Sequence, residues 1–206
     1  MSSTQDREAV RRRGRQQLLA LAALFLVPLA IAFGLYYGPS HWRPGGGTNQ
    51  GDIISPARPL PAVSLARPDG SPTGEQFLRG KWTMLYIGDG ACDERCRKAL
   101  YLTRQSRVAL NKDMDRVQRV FLVTGHCCDS TYLAAEHPDL QIALLNAAAG
   151  ARLLGVFPAY GRQPEATGRI YIVDPLGNLM MSYPQGAPDQ ALLTDFRRLL
   201  RLSHIG

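Results

Sequence analysis

The sequence predicts an α/β domain, a mixed sheet flanked by helices, preceded by one N-terminal transmembrane helix. Three observations carry this. Leu18–Tyr37 is a run of twenty residues without a charge. Beyond residue 61, short apolar runs bounded by glycine and proline alternate with stretches of helical spacing. The chain then closes on two apolar runs joined by a turn, and on an amphipathic segment. Strands alternating with helices build parallel pairs, and a terminal hairpin adds antiparallel ones.

Residues 1–17 form a basic tail. Arg7, Arg11, Arg12, Arg13 and Arg15 stand against only Asp6 and Glu8, and hold nearly half of the formal +7 charge. The rest is spread out, with no aromatic-interleaved basic stripe to track phosphates, so nucleic acid is not an expected partner. Residues 18–37 (LLALAALFLVPLAIAFGLYY) at about 1.5 Å rise cover roughly 30 Å, the hydrocarbon thickness of a bilayer. A helix satisfies its own backbone groups in lipid, and Pro28 is expected to kink it. The lipid bilayer is thus the expected partner of Leu18–Tyr37.

The arginines are expected to stay in the cytoplasm, which exports everything after Tyr37 across a bacterial inner membrane into the periplasm. Tyr36, Tyr37 and Trp42 suit the outer aromatic belt. A cleaved signal peptide competes through Ala30-Ile31-Ala32. The apolar run continues to Tyr37, however, which favours an anchor. Residues 38–61, rich in Gly, Pro, Ser and Asn, read as a flexible tether.

Residues 62–206 carry the folded domain. Val63–Leu65 alternates like a short strand, Pro68-Asp69-Gly70 makes a turn, and Glu75–Leu78 a helical turn. Trp82–Ile87 is a buried strand, and Cys92 to about Asn111 has helical spacing. Val117–Thr124 is the next strand, followed by the loop Gly125–Ser130 and a helix over Thr131–His137. Gln141–Leu145 suits strand or helix, and the alanines after it favour helix. Arg169–Asp174 and Leu179–Tyr183 flank a turn, and Asp189–Leu202 is an amphipathic helix. This order matches the thioredoxin fold.

The chain resembles the Sco/SenC family, membrane-tethered thioredoxin-like proteins of cytochrome c oxidase copper assembly. The resemblance spans roughly residues 60–202. It rests on Pro68-Asp-Gly70, Phe77-Leu-Arg-Gly-Lys-Trp82, Ile87-Gly88, Cys92-x-x-x-Cys96 and Ile170-Tyr-Ile-Val-Asp-Pro-Leu-Gly177. It implies a copper or thiol role for Cys92 and Cys96, with a cytochrome c oxidase subunit or its assembly factors as partners. The family's proline after the second cysteine is Arg97 here, and its third copper ligand, a histidine, falls on Ala166. The cysteines carry over; the histidine does not.

A cysteine at a helix N-terminus has its thiolate stabilised by unpaired N–H groups and the helix dipole. That serves exchange and soft-metal ligation alike. Helical i and i+4 positions lie about 5–6 Å apart at Cβ, against roughly 3.8 Å for a disulfide, so the spacing leans toward Cu(I). Lys98 and the nearby arginines favour thiolate in both cases.

Adjacent Cα atoms about 3.8 Å apart argue against a Cys127–Cys128 bridge. If the two preceding strands are parallel neighbours, their loops leave one sheet edge together. His126 or Cys127 could then replace the absent histidine as a metal ligand. His41, His137 and His204 read as surface or tail residues, and Asp129 and Asp174 as caps or turns.

Three functions follow: a copper-binding or thiol-handling assembly factor, a general periplasmic thiol–disulfide oxidoreductase with Cys92 attacking and Cys96 resolving, or a scaffold without chemistry. Against the second, Gly168 stands near where thioredoxin-like reductases place a cis-proline.

Overall fold

The computed structural model describes residues 3–37, 48–125, 127–145, 148–203 and 205–206. The chain divides into two compact units, Met1–Gly47 and Thr48–Gly206. In the first, helix α1 (Ser3–Tyr37) takes in the basic tail as well as the apolar run, with Pro28 inside it. Its stretch Arg11–Tyr37 is long and apolar enough to cross a membrane.

The second unit runs β1 (Asp52–Pro59), β2 (Trp82–Asp89), α2 (Glu94–Ala109), β3 (Val117–Thr124), α3 (Ser130–Glu136), β4 (Leu140–Leu144), α4 (Ala148–Leu154), β5 (Ile170–Val173), β6 (Asn178–Tyr183) and α5 (Ala191–Leu202). The sheet order is β1-β6-β5-β2-β3-β4. Strands β2, β3 and β4 are parallel, while β5, β6 and β1 add antiparallel pairs. Alternation along β2 sends Trp82, Met84 and Tyr86 to one face and Leu85 and Ile87 to the other. The first face packs Leu100 of α2, Leu133 of α3 and Phe196 of α5; the second packs Leu60, Val63, Leu65 and Leu153 of α4. This is the mixed, two-sided α/β architecture expected.

Several boundaries are corrected. The tether expected over 38–61 gives way to folded structure from Thr48, with β1 inside its span; 38–47 lie outside the described residues. Strand β1 holds Pro56 and Pro59 and buries only Ile54, a composition that an edge strand tolerates because its outer N–H groups need no partner. Val63–Leu65 is not a strand; its alternation buries both apolar side chains under the sheet. Residues 140–144 form β4 beside β3 rather than a helix, too few to offset helix nucleation alone. The alanines begin α4 instead.

Candidate functional site

Strand β2 delivers the chain to Asp89, and α2 starts five residues later. Between them the backbone turns sharply. Cys92 N–H donates to Asp89 O at 3.1 Å, Ala91 N–H to Asp89 Oδ1 at 2.8 Å, and Cys92 takes φ +49°. Asp93 caps α2 by accepting from the Cys96 N–H at 3.0 Å. That bond, and then the Arg95 guanidinium at 2.8 Å, hold the Asp93 carboxyl below its ordinary range. Cys92 therefore precedes the helix and Cys96 sits in its first turn.

The two sulfurs are joined as a disulfide with Cα atoms 5.0 Å apart, inside the ordinary range. The expected lean toward metal assumed two helical positions. Because Cys92 lies outside α2 in a left-handed conformation, that spacing argument lapses. The nearby cations are also less available to a thiolate than expected: Arg95 pairs with Asp93, and Arg97 with Asp129.

Cys92 and Cys96 are 1% and 2% exposed. They line a cleft of about 170 Å³ shared with Tyr86, Asp89, Arg95, Glu165 and Gly168. This is well below the roughly 300–1,000 Å³ of a small-molecule pocket. It admits an ion, water or one side chain. Burial, and then the Asp93 charge, push the Tyr86 hydroxyl up to about 12, so it stays neutral at the cleft wall. Ala166, where the resembled family has histidine, is exposed, whereas its neighbour Glu165 lines the cleft with one carboxylate oxygen buried and unpartnered.

The second cysteine loop lies beside the first, as the parallel-neighbour condition anticipated. β2 and β3 run in parallel register to Asp89 opposite Thr124. The Asp129 N–H donates to Gly90 O at 2.9 Å. Arg97 ties both loops: Nε donates to Cys92 O at 3.2 Å and Nη2 to Asp129 Oδ2 at 2.9 Å, with the guanidinium 4.2 Å over the Tyr132 ring. Cys127 is exposed, and Cys128 is partly buried against the apolar cluster that contains Cys92 and Cys96.

Contrary to expectation, Cys127 and Cys128 are joined to each other. Their Cα atoms lie 3.2 Å apart, closer than the roughly 3.8 Å on which the expectation rested. His126 lies outside the described residues, as do His41 and His204. Among the described residues no three histidine, cysteine, aspartate or glutamate side chains converge as a metal site, so Cys127 is not brought into one with Cys92 and Cys96. Asp129 caps α3 through the Tyr132 N–H, and Asp174 accepts from Leu176 and Asn178 in the β5–β6 turn, the structural roles expected.

His137 is not a surface residue. It is 3% exposed, with Nδ1 facing Arg119 Nη2 at 3.2 Å and Nε2 facing Tyr132 Oη at 3.1 Å. Arginine only donates, so Nδ1 accepts and the ring is neutral, with its proton on Nε2. Burial first, then Arg119 and Arg104, lower the imidazole to about 4. The unfolded chain, near 6.5, therefore binds the extra proton between about pH 4 and 6.5, and stability falls as pH drops through that window. A urea midpoint lower at pH 5 than at pH 7.5, with a flatter profile in His137→Gln, is the expected result.

The family described as "Transmembrane-like, thioredoxin-like, C-terminal domain" matches residues 82–203, and "Transmembrane-like, N-terminal domain" matches 8–39. No curated protein matches the chain. Among solved structures, apo Sco1 from Thermus thermophilus is 20% identical, with a TM-score of 0.60 over 75% of this chain and 99% of that one. Copper-bound ScoI from Bradyrhizobium japonicum is 20% identical, with a TM-score of 0.53 over 69% and 98%. BsSco, described by its disulfide switch and as a member of the Sco family of cytochrome c oxidase assembly proteins, is 13% identical, with a TM-score of 0.52 over 74% and 99%. These likenesses establish the thioredoxin-like fold that the Sco/SenC resemblance implied.

Proposed function

The chain belongs to the transmembrane-like, thioredoxin-like family, and from that premise we propose that it is a membrane-anchored assembly factor that handles copper or copper-site thiols for cytochrome c oxidase through Cys92 and Cys96. The observation that carries this is a pair of cysteines flanking the α2 cap, in a cleft sized for an ion or a single side chain. Once reduced, the pair offers two soft thiolates, a donor set that selects Cu(I). Copper is cargo here, not a resident cofactor. His126 is the additional donor this reading would add; Cys127, bonded to Cys128, is not brought to Cys92 and Cys96 among the described residues.

Residues 1–17 are assigned to the cytoplasm, 18–37 to the bacterial inner membrane and the folded domain to the periplasm. The arginine cluster ahead of α1 supports that orientation, and two cysteine pairs held as disulfides suit an oxidising compartment. The lipid bilayer and an oxidase subunit or its assembly factors are the partners this reading requires.

A second reading, a thiol–disulfide oxidoreductase, draws on the disulfide itself: Cys92 and Cys96 bond across an ordinary Cα separation. One experiment separates the two. The full chain in detergent, reduced anaerobically, is titrated with Cu(I) against a competing chelator. One equivalent bound, lost in Cys92→Ser and in Cys96→Ser, is expected for the first reading. No uptake by the reduced wild type, with turnover in insulin reduction, hands the site to the second.

A further inference from the structure

We infer that Cys127–Cys128 is a second redox centre, the outward half of a relay that carries electrons from an external dithiol protein to the buried Cys92–Cys96 pair. The inference deepens the proposed function and rests on one part of it, that Cys92–Cys96 cycles between disulfide and dithiol.

Disulfide exchange needs a thiolate to reach a sulfur along the S–S axis. The sulfurs of Cys92 and Cys96 belong to residues only 1% and 2% exposed, at a cleft with room for one side chain. A folded partner cannot seat its own active site there. Cys127 is exposed and Cys128 half-buried, so a partner meets this pair first.

Asp129, the residue after Cys128, donates its N–H to Gly90 O at 2.9 Å, and Gly90 stands two residues before Cys92. Arg97 binds the Cys92 carbonyl and the Asp129 carboxylate together. Cys128 packs against the same apolar cluster as Cys92 and Cys96. The loops are fastened to each other, which keeps the two cysteine segments side by side while either pair changes state.

The exchange balances without any further reagent. A thiolate of the external dithiol attacks one sulfur of Cys127–Cys128. The partner's second thiol resolves the mixed disulfide, so the partner leaves oxidised and Cys127 and Cys128 hold two thiols. One of these, deprotonated, attacks a sulfur of Cys92–Cys96 and displaces the other as a thiolate, which takes up a proton. The remaining vicinal thiol then loses its proton, re-forms the Cys127–Cys128 bond and releases the second buried sulfur. Two electrons and two protons have moved inward, and the vicinal pair is restored.

The test uses the full chain in detergent, with reduced thioredoxin as a folded dithiol probe and tris(2-carboxyethyl)phosphine as a small reductant. Reduction of Cys92–Cys96 is followed by alkylation and peptide mass. Both reagents are expected to reduce the buried pair of the wild type. In Cys127→Ser/Cys128→Ser the phosphine rate is expected to persist, while the thioredoxin rate falls about tenfold or more, since attack then waits on local opening of the core. Cys96→Ser should in addition accumulate an internal bond from Cys92 to Cys127 or Cys128, a readout independent of the double variant's folding. Equal thioredoxin rates, or no internal bond, overturn the relay and leave the proposed function standing. A buried pair that resists the phosphine as well overturns the cycling on which both depend.

Discussion

Arg119→Ala is expected to lower the stability of the folded unit by about 3–5 kcal/mol, the cost of breaking a buried charged network from one side. Arg119 is fully buried. It donates to Leu100 O at 2.7 Å, Thr103 Oγ1 at 3.1 Å, Asp139 Oδ1 at 2.9 Å and His137 Nδ1 at 3.2 Å. Burial pulls the guanidinium below its usual range and Asp139 pulls it back, so it remains the cation of the network. Alanine leaves His137 Nδ1 without its donor in the core and opens a cavity; the Leu100 carbonyl keeps the Thr103 hydroxyl at 2.9 Å, and Asp139, one-third exposed, regains water. Arg119→Met fills much of the volume without restoring a donor, and so separates the two costs. Against a total of about 5–15 kcal/mol for a typical domain, the alanine change is large. Urea midpoints at pH 7.5, read by near-ultraviolet circular dichroism, measure it. Equal midpoints for alanine and wild type would show that the network contributes nothing net.

Asp195→Ala is expected to cost about 2–4 kcal/mol, from three hydrogen bonds made to a buried carboxylate. Asp195, on α5 and 3% exposed, accepts from the Gln50 N–H at 2.8 Å, the Gly51 N–H at 3.0 Å and the Tyr183 hydroxyl at 2.8 Å. Burial and the same carboxylate raise the Tyr183 phenol, which therefore stays a donor. The loss should be local as well as global. Amide exchange in β1, whose start these bonds fasten to α5, should accelerate more than exchange in β2. Uniform acceleration across the sheet would contradict that role. Asp195→Asn keeps one acceptor oxygen and is expected to fall between.

What the sequence revealed follows from how burial writes itself into a chain. β2, β3 and β6 were legible because each is an apolar run between turn residues and lies inside the sheet. β1 was not, because an edge strand with one buried side chain leaves no alternation to read. The cysteine pair was visible from spacing alone. Its pairing was not, since it depends on the left-handed turn at Cys92, a backbone choice that periodicity does not encode. Arg119, Thr103, His137 and Asp139 come from three segments that meet only in the folded state. Nothing in VQRVFLVT separates a buried arginine from an exposed one. The same holds for Glu165, beside the position where a histidine was missed.

Pro56 and Pro59 in β1 have a consequence for the chain's life on a membrane. Proteins anchored in one plane collide far more often than free ones, and an open strand invites another copy to continue the sheet. A rim that lacks two amide hydrogens offers a poor template for such growth. At the opposite rim, Ala66 already occupies Leu144 of β4. Both ends of the sheet are thus blunted against self-association, which leaves crowded neighbours free to remain separate.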